Sequence, residues 1–209
     1  GHIVQFTDFS KLDLSRLPTP CFVVDEVAVE RNLRILRQVA DASGAKVLAA
    51  LKAFSMWHLA PLVSRYLHGS CASGLYEARL GSDYYGGEVH VFSAAYSEAS
   101  LREILLLADH VVFNSCSQWL RFQPLLRAAK SHRPQLQFGL RINPEHSEGA
   151  VPIYDPCAPG SRANGSCRST TRWSIMRVTV GPTLPPAPST ITRCCAHVCA
   201  SATMVAAAA

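Results

Sequence analysis

The sequence predicts an α/β fold, an incomplete (β/α)8 barrel of about five βα units, and three observations predict it. Short β-branched runs alternate with segments of helical period between residues 21 and 142. The runs after the first begin near residues 46, 69, 88, 110 and 136, room each time for one strand, one helix and two short loops. Such a repeat calls for parallel strands with right-handed crossovers, in either a doubly wound sheet or an eight-stranded barrel. A doubly wound nucleotide binder carries a glycine-rich turn after its first strand. Leu51-Lys52-Ala53-Phe54-Ser55 has no glycine, which favours the barrel. A complete barrel takes about 250 residues, so five strands by residue 142 leave three to find.

Each element has its own local signal. Cys21–Val24 reads as a strand, followed by a helix over 26–42 in which Val29, Leu33, Leu36 and Ala40 keep one face and Gly44 marks the stop. Lys46–Leu51 is the next strand, with a helix near 56–67. Gly69–Ser73 precedes a helix near 75–83. Glu88–Ser93 precedes a helix with Leu101, Ile104, Leu105 and Ala108 on one face. Ser100 and Glu103 form a Ser-x-x-Glu capping box there, with Ser97 as the rival cap. His110–Asn114 leads into a helix near 117–130, expected to bend where Pro124 removes a donor. Leu136–Ile142 is the fifth strand of the repeat.

Composition sets the outer bounds. The 209 residues are 48% hydrophobic and 17% charged, enough to bury a substantial core. No stretch approaches the roughly 18 consecutive apolar residues of a membrane-spanning helix, and Gly1–Ser10 does not have the make-up of a signal peptide. An opening Gly-His in place of Met suggests a fragment, a processed end or a cloning remnant. A soluble cytoplasmic protein is expected. The net charge of +5 is concentrated in the last 47 residues, which hold four arginines and no acid. No basic patch with interleaved aromatics suggests nucleic-acid binding. Cys21, Cys71, Cys116 and Cys157 are spread as thiols of a reduced compartment would be.

The texture changes near Arg162. From Ala163 on there is no Asp, Glu, Lys, Gln, Phe or Tyr, and Leu184 is the only leucine. Residues 1–162 are therefore read as one domain and 163–209 as an atypical Ala/Thr/Pro/Cys-rich tail. A linker and a small metal module using Cys194, Cys195, His197 and Cys199 are the alternatives. The metal module lacks separated ligand pairs, so a frame-shifted or disordered tail is the favoured expectation. Trp173–Val180 could still form a strand.

Lys52 carries the chemistry. It follows the apolar run Val47–Leu51, at the carboxyl edge where barrel active sites are built. Among apolar neighbours a lysine is desolvated and its pKa falls, the state in which an amine acts as a Schiff-base nucleophile. The alternative is a lysine that snorkels from a strand end.

Several ordered blocks point further. They are Pro-Thr-Pro-Cys-Phe-Val-Val at 18–24, Leu-Lys-Ala-Phe-Ser-Met-Trp at 51–57, Glu-Ala-Arg-Leu-Gly at 77–81 and Gly-Gly-Glu-Val-His-Val at 86–91. Leu-Arg-Ile-Asn-Pro-Glu-His-Ser at 140–147 and Tyr-Asp-Pro-Cys-Ala-Pro-Gly-Ser-Arg at 154–162 continue the series. Over about residues 10–162 the chain resembles the carboxynorspermidine (carboxyspermidine) decarboxylases, of the alanine-racemase-like pyridoxal-phosphate enzymes. The resemblance implies a pyridoxal 5'-phosphate cofactor held on Lys52. It implies a lyase reaction of polyamine and spermidine biosynthesis, converting carboxynorspermidine or carboxyspermidine to norspermidine or spermidine. It also implies a homodimer, and a leading strand, here Cys21–Val24, that belongs to a C-terminal β-domain missing from this chain. Arg141 matches a cofactor-facing position; a plain strand-end ion pair is its alternative. Glu77 could orient a cofactor neighbour or serve as a first-turn helix acid. His146, flanked by Glu145 and Glu148, reads more simply as a solvated loop, and Ser73 and Asn114 as caps. No metal site is expected. With no match after Arg162, the chain is expected to be truncated and inactive. The alternatives are a non-catalytic pyridoxal-phosphate-binding barrel and a non-functional fragment.

Overall fold

The computed structural model describes residues 8–143 and, beyond them, the backbone of three short strands. Its centre is five parallel strands in chain order: β1 (Lys46–Ala50), β2 (Gly69–Ala72), β3 (Glu88–Phe92), β4 (His110–Phe113) and β5 (Gln137–Asn143). The short strands lie at the margins. β6 (Cys167–Arg168) runs parallel to β5, β7 (Ile175–Val178) antiparallel to β5, and β8 (Thr203–Ala206) parallel to β1. β7 falls inside the 173–180 stretch that could form a strand.

Helices join the strands. α1 (Glu26–Ser43) precedes β1; its amino end is capped by Asp25, whose carboxylate accepts the amides of Val27 and Ala28 at 2.9 and 3.2 Å. Its expected face is the one that packs, with Leu33 and Ala40 buried and Val29 and Leu36 half-buried. Gly44 ends it at φ 70°, a left-handed position that glycine adopts without steric cost. α2 (Ala60–Tyr66) follows a 3-10 turn at Trp57–Leu59. α3 (Leu75–Leu80) runs into a π turn at Gly81–Tyr85. α4 (Glu98–Leu107) and α5 (Cys116–His132) complete the set, and α5 continues through Pro124.

Alternation along the strands separates two layers. Val89 and Val91 of β3, Val111 and Phe113 of β4, and Phe138 and Leu140 of β5 are buried with Leu101, Ile104, Leu105, Trp119, Phe122 and Leu126 of α4 and α5. Side chains of this size contribute about 1.5–3 kcal/mol each on full burial. A second cluster joins Val47, Ala49 and Leu51 to Leu33 and Ala40 of α1 and to Leu62 and Val63 of α2. On the other face of β3 and β4, Glu88, His90, Phe92, His110 and Val112 are only half-buried.

Three expectations need correction. Cys21–Val24 is not a strand: it pairs with nothing among the described residues, and Phe22 is 98% exposed. Its β-branched residues favour extended backbone, but a strand needs a partner edge to bond. The cap of α4 is Ser97, whose hydroxyl accepts the Ser100 amide at 3.1 Å. Glu103, the expected partner in a capping box, is drawn away into an ion pair with Arg79. Cys21 and Cys71 are free thiols, whereas Cys116 is disulfide-bonded, so separate reduced thiols describe only part of the set. Among the described residues no helix is long and apolar enough to cross a membrane.

Candidate active site at the carboxyl edge of the sheet

Parallel strands bring all five carboxyl ends to one edge, and the loops there are tied to one another. Gln118 accepts the Asn114 amide at 3.2 Å and donates to the Ala94 carbonyl at 3.3 Å, joining the loops after β4 and β3. Asn114 is buried at this junction. Glu77 accepts the Ser73 amide at 2.7 Å and so holds the turn after β2. That bond gives Glu77 structural work in the first turn of α3, in line with its simpler reading, whereas Ser73 lends only its backbone amide and does not cap α3, whose N-cap is Gly74.

Lys52 lies two residues past β1, in the turn 51–53. Its register neighbour follows from two facts: Ala50 pairs with Cys71, and the Leu51 amide donates to the Cys71 carbonyl at 3.1 Å. The side chain is exposed, not packed among apolar residues as the sequence suggested. Val47, Ala49 and Leu51 turn to the helices, and the turn then carries the lysine out of that layer. Its charge still acts on Cys71. Burial pushes that thiol above its ordinary value, the Lys52 charge draws it back, and Glu77 raises it again. Cys71 is therefore a protonated thiol at neutral pH, and Lys52 is an exposed primary amine at this strand end.

Arg141 stands at the same edge on β5. Its guanidinium lies over the Phe92 ring, 5.1 Å from the centroid, a cation–π contact with a residue two strands away. Lys52 and Arg141 thus share the edge but belong to the first and last of the five strands. At roughly 4.8 Å per strand a flat sheet would hold them about 19 Å apart, so only curvature could bring both to one small ligand. His146 and the 154–162 loop lie outside the described residues.

A second polar cluster, not foreseen from the sequence, occupies the amino end of β3 and β4. Glu88 Oε2 lies 2.9 Å from His90 Nε2 and 3.7 Å from His110 Nε2, and Lys46 bonds the other carboxylate oxygen. Burial lowers the pKa of both imidazoles; His110, with the nearby His90 adding to the effect, falls to about 4. The available signal was Glu-x-His on one strand with a histidine opening the next. Only the pairing of His90 with His110 brings them together.

No family model matches the chain. Its sequence is 40% identical over 149 residues to the carboxyaminopropylagmatine decarboxylase of Synechocystis sp., a match covering 71% of this chain and 37% of that protein. It is 39% identical over 150 residues to the carboxynorspermidine/carboxyspermidine decarboxylase of Herminiimonas arsenicoxydans, covering 72% and 39%. The crystal structure of Campylobacter jejuni carboxynorspermidine decarboxylase, complexed with norspermidine, superimposes with a TM-score of 0.59 at 34% identity, covering 73% of this chain and 36% of that one. The matched region is homologous to the carboxynorspermidine/carboxyspermidine decarboxylases. The resemblance read from the motifs is thereby shown, and these homologues are by name decarboxylases, a kind of carboxy-lyase. The chain spans less than two-fifths of the length of either curated relative.

Proposed function

We propose that the chain represents the first part of a pyridoxal-phosphate-dependent decarboxylase of carboxynorspermidine or carboxyspermidine, acting in cytoplasmic polyamine synthesis as a homodimer. One observation carries the reading: an exposed primary amine, Lys52, sits just past the carboxyl end of β1 within a stretch similar to decarboxylases. The order of β1 to β5 supports a barrel. Each strand pairs with its successor and the order never reverses, whereas a doubly wound sheet has a switch point.

The residues present suit an aldehyde-bearing cofactor in part. Lys52 offers a reachable amine to the aldehyde, and Arg141 offers a cation for a phenolate or carboxylate. The described residues show no cradle for the phosphate. When bound, pyridoxal phosphate supplies the electron sink that lets carbon dioxide leave. Lys52 would hold the cofactor at the strand end through its own nitrogen. Arg141, steadied over Phe92, keeps its guanidinium at the same edge and would orient an anionic group there. Cys71, kept as a neutral thiol by burial, does not compete for the aldehyde.

The test is borohydride reduction of the purified chain with pyridoxal phosphate, followed by peptide mapping. A reduced pyridoxyl adduct on Lys52 is expected; an adduct only on other lysines would end the proposal. Residues 1–162 are read as the start of the cofactor domain. With no resemblance beyond Arg162, carbon dioxide release from a carboxytriamine is not expected of this chain alone.

A further inference from the structure

We propose that Glu88, His90 and His110 form a binding site for one divalent transition-metal ion of the zinc class. The cluster lies toward the amino end of β3 and β4, away from Lys52 at the carboxyl edge, so the proposal is independent of the decarboxylase reading.

The backbone assembles the three ligands. Glu88 and His90 are two residues apart on β3 and share a face. His110 is the register partner of His90 on β4. The two rings stack with centroids 3.9 Å apart and planes 24° from parallel, placing both Nε2 atoms beside one carboxylate oxygen. The ligand atoms of all three residues lie within 4.8 Å of one another.

Those separations suit a small ion. Zinc binds imidazole nitrogen and carboxylate oxygen at about 2.0–2.2 Å, which puts neighbouring tetrahedral ligand atoms roughly 3.4 Å apart. The Glu88 distances of 2.9 and 3.7 Å to the two imidazoles bracket that value. The near-parallel stack leaves the two imidazole lone pairs unconverged, so binding an ion requires both rings to swing out of the stack until their Nε2 atoms face one point. Two imidazoles with one carboxylate favour zinc, cobalt, nickel or copper over calcium or magnesium, which prefer oxygen ligands. The side chains keep some solvent contact, with His90 13%, His110 28% and Glu88 29% exposed, so an ion can enter and a water can fill a fourth position.

Lys46 gives the proposal its sharpest test. It bonds Glu88 through the other carboxylate oxygen, leaving Oε2 to the histidines, and so fixes the carboxylate while opposing a cation. Removing its charge should tighten metal binding, a gain that misfolding cannot imitate.

The experiment is zinc titration by calorimetry, with cobalt absorption as a second readout, on the full untagged chain. Cys194, Cys195 and Cys199 are replaced by serine to silence ligands in the tail. One equivalent is expected to bind. Affinity should fall at least about tenfold in His110→Asn and in Glu88→Gln, and rise in Lys46→Met. No saturable binding to the serine-substituted chain overturns the proposal, as does binding that both His110→Asn and Glu88→Gln leave unchanged.

Discussion

The Tyr96 hydroxyl donates to the Val112 carbonyl at 2.9 Å, while it accepts the Ser93 amide at the same distance. One buried phenol thereby ties the loop after β3 to the neighbouring strand β4, at the edge where Lys52 and Arg141 lie. Burial also raises its pKa far above the ordinary phenol value, so it remains a donor at any physiological pH. Tyr96→Phe keeps the ring but removes the acceptor of the part-buried Ser93 amide and a donor to the Val112 carbonyl. It should cost about 1–3 kcal/mol in urea denaturation.

Behind that phenol the core is aromatic. Phe113 meets Tyr96, Trp119 and Phe138 with centroids 5.4, 5.6 and 6.3 Å away. Phe113→Ala would open a cavity where β4 packs on α5. A loss of about 3–5 kcal/mol is expected, read from the denaturation midpoint.

Lys52→Ala should separate function from stability. The side chain is exposed, so the denaturation midpoint should stay within about 0.5 kcal/mol of the parent. The pyridoxyl adduct recovered after borohydride should disappear. Loss of both together would show that the lysine holds the fold.

Cys71 reports on the charge beside it. Burial raises its pKa, so its alkylation rate should climb only above the ordinary thiol value of 9.0. Lys52→Ala removes a charge that favours the thiolate and should move that rise to higher pH; Glu77→Gln should move it lower. Iodoacetamide kinetics across pH 7 to 10, mapped by mass spectrometry, measure both shifts.

Gly69 is the tightest backbone contact along β2. A methyl group there would meet the Glu88 carbonyl oxygen at 2.0 Å, and the residue sits at φ 154°. Gly69→Ala must push β2 and β3 apart. A loss of about 3 kcal/mol or more is expected, larger than Gly74→Ala, where the added carbon meets nothing within 4 Å.

The strand repeat was legible because each unit carries its own period and punctuation. Leu33 and Ala40 follow helical spacing and Gly44 stops it, so α1 needed no knowledge of the rest of the chain. Properties that depend on a partner were hidden. Val23 and Val24 look like strand residues, but whether they pair depends on an edge elsewhere. Ser97 won the cap of α4 because Glu103 found Arg79 on α3. At the candidate site, the position of Lys52 at a strand end was readable and its exposure was not. The turn 51–53, which begins where β1 ends, decides which layer the side chain enters. Glu88, His90 and His110 are unremarkable as letters 22 residues apart, and become neighbours only through the pairing of β3 with β4.

That pairing also guards the alignment of the two strands. Were β4 to slide by a single residue against β3, His110 would swing into the greasy layer beneath the helices and Val111 would emerge beside His90. Both changes are unfavourable at once, one burying an imidazole without its carboxylate and the other wetting a valine. The histidine pair thus works as a key that fits the sheet in one alignment, and broadened or shifted imidazole resonances would be an early sign of a mis-threaded chain.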